Sequence, residues 1–156
     1  MNASNSARLQ RCENQLRGFL DEALHAVPVE AILQLPASGK WSANDHLAHL
    51  ARYHEVFLER IDRILKEKSP ALSRYRAEKD PAWKRWRGLA YKEIAAELAS
   101  GREQLLARLK ALSDADYERT GVHPKFGEMS LALWLEFFLV HEAHHLYVVM
   151  QLVKGG

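Results

Sequence analysis

The chain has 156 residues, enough for one domain with a hydrophobic core, and we expect a single domain over residues 1–156. Hydrophobic residues make up 47% and charged residues 27%, and the net charge of +2 gives no general attraction to nucleic acid or membranes. No apolar run is long enough to span a bilayer, and the polar N-terminal segment lacks the apolar core of a signal peptide. Because the lone Cys12 cannot form an internal disulfide, a cytoplasmic protein is expected, with Cys12 as a small core residue.

Helical periodicity covers most of the chain and predicts two long helices in its N-terminal half. The first is expected from about Ser6 to Ala26, with apolar side chains at three- and four-residue steps. The second is expected to begin at Ser42, a good N-cap, and Asp45 three residues later completes a variant of the capping box. Its apolar stripe continues to about Glu67.

A long segment rich in charged and aromatic residues follows, from about Pro70 to Gly88. Connections of this length are uncommon inside a compact domain unless they have a role. Basic and aromatic residues alternate at 74–76 and 83–87, as they would in the wall of an anion pocket or in a surface for single-stranded nucleic acid. A crossover held in place by its tryptophans is the favoured interpretation, and the small net charge makes nucleic acid the least favoured.

The C-terminal half predicts two more helices. One is expected from Tyr91 to Leu112, with Gly101 as a weak point inside it, and the other from a cap at Ser130 to about Val153. The residues between them, 113–129, contain turn formers and are expected to be a loop. Four helices, no sheet and one long connection predict an all-α fold, a four-helix bundle with a long crossover between the second and third helices.

The segment His141-Glu142-Ala143-His144-His145 carries the strongest chemical signal. In a helix, the rings of His141 and His145 lie one turn apart on the same face, here the apolar face. Burying two imidazoles costs free energy unless their nitrogens find partners, and one metal ion can serve both. The pair therefore predicts a metal site, while His144 lies off the apolar stripe and is expected either to face solvent or to support the metal ligands from behind.

The same segment is also a literal His-Glu-x-x-His string, the pattern of zinc peptidases, in which Glu142 would be the base. The third ligand of such an enzyme normally lies downstream. Residues 146–156 contain no His, Asp, Glu or Cys, and no sheet edge is expected that could hold a peptide. The peptidase interpretation is therefore disfavoured.

A third ligand must then come from upstream, where the second predicted helix offers His46, His49 and His54. The apolar stripe passes close to His46 and His54, and His49 lies toward its flank. Helices in a bundle bury more than one side, so the residues alone leave all three candidates open.

These residues resemble the DinB-like (YfiT-like) superfamily of metalloenzymes. Its members carry Trp-Ser/Thr-x-x-Glu/Asp-x-x-x-His-Leu at the start of the second helix, and residues 41–50 read Trp-Ser-Ala-Asn-Asp-His-Leu-Ala-His-Leu. A Gly followed by Ser or Thr then opens a fourth helix that contains His-x-x-x-His, here Gly127, Ser130, His141 and His145. The resemblance extends over nearly the whole chain.

The resemblance implies a four-helix fold, frequent homodimers, and metal ligation by His49, His141 and His145. Similar proteins include S-transferases that use low-molecular-weight thiols such as bacillithiol or mycothiol, and others described as metal-dependent hydrolases. The implied partner is therefore a small-molecule substrate, with a low-molecular-weight thiol as one option, and neither nucleic acid nor a membrane.

A three-histidine site leaves at least one coordination position open, so a bound divalent ion could activate water or a thiol. Zinc and nickel suit imidazole ligands best. Glu142 is the candidate catalytic base, and a solvated helix glutamate is its ordinary alternative. The competing function is a non-catalytic, stress-related bundle that binds a metal or a small molecule.

Overall fold

The computed structural model describes residues 1–155, so Gly156, the last residue of the expected domain, lies outside the described residues. Four long helices pack into a bundle in which α3 contacts α5 and α7, and α1 contacts the same two helices. Within the described residues, no helix is both long enough and apolar enough to cross a membrane. In chain order the helices are α1 (Ala3–Phe19), α2 (Val29–Leu33), α3 (Ala43–Lys66), α4 (Trp83–Arg87), α5 (Tyr91–Lys110), α6 (Asp114–Tyr117) and α7 (Leu131–Lys154).

Side-chain caps set the start of three long helices, α1, α3 and α7. At the start of α3, the Ser42 hydroxyl accepts the Asp45 backbone N–H at 3.1 Å, and the Asp45 carboxylate accepts the Ser42 N–H at 2.9 Å. This confirms the predicted capping box. Ser130 caps α7 as predicted. Helix α1 begins three residues earlier than expected because the Asn2 side chain accepts the Asn5 N–H, and a π-helical turn over Leu20–Leu24 continues it.

The core divides into two sets of buried apolar side chains along the bundle. One set contains Phe57 and Trp134, and the other contains Leu47 and Leu98. Tyr75, from the crossover, packs against both sets. As expected, Cys12 is a fully buried core residue.

The crossover between α3 and α5 is held by its aromatic residues, as favoured above. Trp83 and Trp86 are buried on α4, which follows a 3₁₀ turn at Ala77–Lys79. Asp80 binds the Arg52 guanidinium at 2.7 Å and accepts the Tyr75 hydroxyl at 2.8 Å. These contacts tie the crossover to α3.

The expectation of a strand-free loop over residues 113–129 is wrong. That stretch contains α6 and a two-stranded antiparallel hairpin, β1 (Thr120–His123) and β2 (Gly127–Ser130). A Cβ on Gly121 would lie 2.9 Å from an Ile64 side-chain carbon, so only glycine lets the hairpin approach α3 this closely. Strands of four residues are too short for an alternating pattern to stand out in the sequence.

Candidate metal site

Three histidines from two facing helices gather at one point in the bundle. His49 comes from α3, and His141 and His145 come from α7; each offers one ring nitrogen, and these atoms all lie within 4.8 Å of one another. The Nε2 atoms of His49 and His141 are 3.0 Å apart. Two nitrogens bound to one tetrahedral zinc, at about 2.0–2.1 Å each, would be about 3.3 Å apart, so the His49–His141 pair fits such an ion with a small adjustment.

His46 lies beside this cluster and contacts one of its members. The Nδ1 atoms of His46 and His145 are 2.8 Å apart, so one ring donates a hydrogen bond to the other. That bond leaves Nε2 of His145 as the nitrogen free for an ion. A hydrogen bond of this kind orients a metal ligand. The contact with His46 therefore fixes the orientation of the His145 ring.

Burial keeps the cluster neutral at physiological pH. Burial is the main cause that lowers the pKa of His49 to about 3 and that of His145 to about 2, and the neighbouring histidines are the second cause. The pKa of His141 is lowered to about 4, again mainly by burial. Metal ions bind the neutral form of imidazole, so these three rings are in the state that ligation requires.

Two nitrogens of the cluster have no hydrogen-bond partner among the described residues. They are Nδ1 of His49 and Nδ1 of His141, and both are buried. A buried polar atom without a partner costs on the order of 1–3 kcal/mol. The histidines therefore leave part of their hydrogen-bonding capacity unused, which is unusual for residues that only pack in a core. The atoms that face each other where an ion would bind are the Nε2 atoms of His49 and His141 and not these Nδ1 atoms.

Aromatic side chains frame the cluster. The Trp41 ring lies 5.2 Å from the rings of both His46 and His49, and Tyr53 lies 4.3 Å from His141. Tyr75 stacks on His49 at 5.6 Å. Sequence reasoning did not assign these aromatics to the site, although Trp41 stands in the motif that carries the resemblance and Tyr53 lies one turn after His49.

Glu142 does not join the histidine cluster. Its Oε1 accepts the Gln15 side chain at 2.9 Å, and its Oε2 forms an ion pair with Arg102. Only 1% of the residue is exposed, so the alternative of a solvated helix glutamate is wrong. Burial raises its pKa, and the contacts with Arg102 and Gln15 oppose that shift. Its role as a catalytic base stays a prediction, without support from this geometry.

The other candidate histidines are placed clearly. His54 donates from Nδ1 to the Leu50 carbonyl at 2.8 Å and accepts at Nε2 from Arg102 at 3.1 Å. Both ring nitrogens are occupied, so His54 as an alternative third ligand is wrong. His144 is exposed on the outer face of α7, as expected.

Comparisons with known proteins agree with this architecture. The chain is 29% identical over 158 residues to the uncharacterised protein YuaE of Bacillus subtilis, covering 94% of this chain and 92% of that protein. It is 27% identical over 122 residues to a protein of Oceanobacillus iheyensis provisionally named a metal-dependent hydrolase, covering 75% of this chain and 67% of that protein.

Among solved structures, the fold is shared with YfiT from Bacillus subtilis, described as a probable metal-dependent hydrolase with an unusual four-helix bundle topology. The TM-score is 0.80 at 19% sequence identity, and the match covers 99% of this chain and 89% of that one. The sequence model of the DinB superfamily matches residues 9–149. With its helices, crossover and histidine cluster in the order that the sequence motifs indicated, the chain belongs to the DinB superfamily.

Proposed function

We propose that this protein is a metal-dependent enzyme in which His49, His141 and His145 bind one divalent ion that acts on a small molecule. The observation that carries the proposal is the gathering of three neutral imidazoles, one buried and two partly buried, with their nitrogens within 4.8 Å of one another. An ion held there by three protein ligands would supply a Lewis acid with a coordination position open to a substrate. Zinc and nickel are the first candidates for the ion.

Hydrolysis is the first reaction to test. The relative from Oceanobacillus iheyensis is provisionally named a metal-dependent hydrolase, and the structural neighbour YfiT is described as a probable one. Transfer of a low-molecular-weight thiol is the second reaction, because an imidazole-bound ion can also bind a thiolate. Both reactions place the same demand on the chain, namely three neutral histidines and a cavity that reaches them.

Within the chain, each neighbouring group has a separate task. His46 orients His145 through the bond between their Nδ1 atoms. Trp41, Tyr53 and Tyr75 pack against the rings of the cluster and hold them in place. Glu142 is held by Arg102 and Gln15, so we do not assign it the proton transfer of the reaction.

A non-catalytic metal or small-molecule binder is the competing function. A purely structural zinc site would be closed by four protein ligands. Two further histidines lie beside the cluster: His46 already bonds to His145, and His144 is exposed. The described residues bring no fourth His, Cys, Asp or Glu into the group. The cluster therefore favours the open site of an enzyme.

The test is to measure metal content by mass spectrometry after loading with zinc or nickel, together with hydrolysis of activated esters and amides and transfer of small thiols. We expect about one metal per chain, and both the metal and any activity should be lost in His145→Ala. His144→Ala is the matched control, because this neighbouring histidine is exposed and outside the cluster.

Two results would contradict the proposal. If neither ion binds stoichiometrically under any loading, the histidines do not form a metal site. If metal binds but no hydrolysis or thiol transfer depends on His145, the protein is a non-catalytic binder and not an enzyme.

The homodimer that the resemblance implies stays a prediction, and α7 offers a surface on which to test it. Leu133, Val140 and Tyr147 recur every seven residues and are 49%, 67% and 57% exposed. Seven-residue spacing keeps these side chains on one face of the helix. We propose this stripe as the contact with a second copy, and Val140→Glu should convert a dimer to a monomer in light scattering.

A further inference from the structure

A cavity of about 740 Å³ adjoins the histidine cluster and is lined by His49, His141 and His145 at one side. Its other walls come from the crossover, the hairpin turn and α3. A volume of this size accommodates a small molecule. The charges on these walls therefore bear on what the site can bind.

Arg60 on α3 is the most informative wall residue. It is 7% exposed, and its guanidinium donates to the Tyr53 hydroxyl at 2.7 Å and to the Ser73 carbonyl at 2.8 Å. Both acceptors are neutral, and no carboxylate of the described residues lies within 4.0 Å. Arg102, which is equally buried, pairs with Glu142. A buried guanidinium is normally paired with a carboxylate. Arg60 instead has only neutral acceptors and the Tyr53 and Trp134 rings, so its charge beside the cavity has no anionic partner among the described residues.

His123 in the hairpin turn adds a hydrogen-bond donor to the same cavity. Its Nδ1 accepts the backbone N–H groups of Lys125 and Phe126, each at 3.1 Å. An imidazole that accepts at Nδ1 carries its proton at Nε2. That N–H has no partner among the hydrogen bonds of the described residues, and His123 lines the cavity.

The charges on the cavity wall are mostly positive. Arg60, Arg74, Arg76 and Lys125 line it, and Glu78 is its one acidic lining residue within the described part of the chain. Burial lowers the pKa of His123, and the charges of Arg60, Arg74 and Lys125 lower it further. The summed field of such a wall attracts anions.

We propose that the substrate of the histidine site carries an oxyanionic group, a carboxylate or a phosphate, that binds to Arg60, Arg74 and the Nε2–H of His123. The proposal rests on the proposed function, because the reactive end of the molecule would then face His49, His141 and His145. Guanidinium groups and an N–H donor match the planar oxygens of a carboxylate and the oxygens of a phosphate. The exposed ring of Phe126, beside His123, offers an apolar contact for the body of the ligand.

The test uses benzoate and phenyl phosphate as probes, with neutral benzamide as the comparison, titrated into metal-free protein and followed by NMR. Metal-free protein isolates the anion contact from any contact with an ion. We expect both anions to bind more tightly than benzamide, and Arg60→Gln and Arg74→Gln to raise their Kd by at least about tenfold. The more tightly bound probe identifies the preferred oxyanion.

Arg63→Gln is the matched control, since Arg63 lies one turn further along α3, pairs with Glu67 and does not line this cavity. Arg74 is exposed, so Arg74→Gln keeps the test decisive if Arg60→Gln unfolds. Anions that bind no better than benzamide, or equally well to wild type and Arg74→Gln, would overturn the proposal. Because metal content is measured separately, such a result would contradict the anion contact without contradicting the proposed metal site.

Discussion

Helix α7 carries two buried polar clusters on different sides, and they differ in how completely their hydrogen bonds are made. The histidine cluster consists of His49, His141 and His145 with His46 beside it. The Arg102–Glu142 cluster consists of that ion pair with its neighbours Cys12, Gln15 and His54.

The Arg102–Glu142 cluster is internally satisfied. Arg102 donates to His54, to Glu142 and to the Cys12 carbonyl, while Gln15 completes the bonding of Glu142. Its residues come from α1, α3, α5 and α7, so one polar network joins all four long helices. A network with every member paired makes the bundle rigid and its packing specific.

The histidine cluster, in contrast, leaves Nδ1 of both His49 and His141 without a partner. The two clusters are almost adjacent in sequence, since Glu142 directly follows His141. The comparison shows that burial alone does not identify a functional polar group. Within the described residues, the histidine cluster keeps buried hydrogen-bonding capacity unused, whereas the Arg102–Glu142 cluster does not.

The largest expected effect on stability comes from breaking the satisfied cluster. Glu142→Gln keeps the shape of the side chain but leaves the Arg102 charge buried and unpaired. We expect the free energy of unfolding to fall by about 3–5 kcal/mol, measured by denaturant titration of metal-free protein. His49→Ala, in the unsatisfied cluster, should cost clearly less. A larger loss in His49→Ala than in Glu142→Gln would reverse the comparison.

Zinc binding should stabilise the folded protein through the histidine cluster and not through the Arg102–Glu142 cluster. At a free zinc concentration one hundred times the Kd, binding to the folded state adds about 2.7 kcal/mol to the free energy of unfolding. Thermal and denaturant unfolding with and without zinc should show this gain in the wild type and in His144→Ala. His145→Ala should show none, and an equal gain there would place the zinc elsewhere.

The Arg102–Glu142 cluster should also make the stability of the protein depend on pH, through His54. Burial, with a smaller contribution from the Arg102 charge, lowers the pKa of His54 to about 3 from its ordinary 6.5. As the pH falls below 6.5 the unfolded chain takes up a proton that folded His54 does not, so stability decreases down to about pH 3. At pH 5 this loss amounts to about 2 kcal/mol.

His54→Gln isolates that contribution, because glutamine does not titrate and the remaining histidines titrate alike in both proteins. Denaturant titrations of the metal-free proteins from pH 7 to pH 5 should show the steeper decrease in the wild type. Parallel pH profiles would mean that His54 is protonated in the folded protein or is not buried as described.

The smallest effect concerns the close approach of α5 to α3 at the same cluster. A Cβ on Gly101 would lie 3.0 Å from the Cβ and Cγ of His54, whereas Gly18 on α1 has nothing within 4 Å. Gly18→Ala should therefore stabilise the protein by about 0.5–1 kcal/mol through helix propensity. Gly101→Ala should lose that gain to overpacking and destabilise by about 1 kcal/mol net. Equal stabilisation by both, in thermal unfolding, would remove the packing argument for Gly101.

The helices and the histidine pair could be predicted because their signals are local. The caps at Ser42 and Ser130 and the spacing of His141 and His145 each depend on a few neighbouring residues. The choice among His46, His49 and His54 could not be made from periodicity, since it depends on how α3 is rotated against α7. The resemblance selected His49, and the structure places it in the cluster.

Three other features depend on contacts between distant parts of the chain and were missed for that reason. Glu142 was expected to face solvent or the metal because its partners Arg102 and Gln15 are 40 and 127 residues away in sequence. The hairpin is stabilised by its bridge to the crossover, where Leu72 donates to the Val122 carbonyl at 2.9 Å. The unpaired charge of Arg60 is visible only once the acidic residues near it are known.

The position of Trp41 has a practical consequence. Its indole lies 5.2 Å from the His49 ring, 6.2 Å from the His145 ring and 4.9 Å from the Trp83 ring. An ion bound by those imidazoles would alter both the charge and the motion beside this fluorophore. The intrinsic emission of the protein should therefore report occupancy of the histidine cluster directly, and paramagnetic nickel should quench it more strongly than zinc, without any added label.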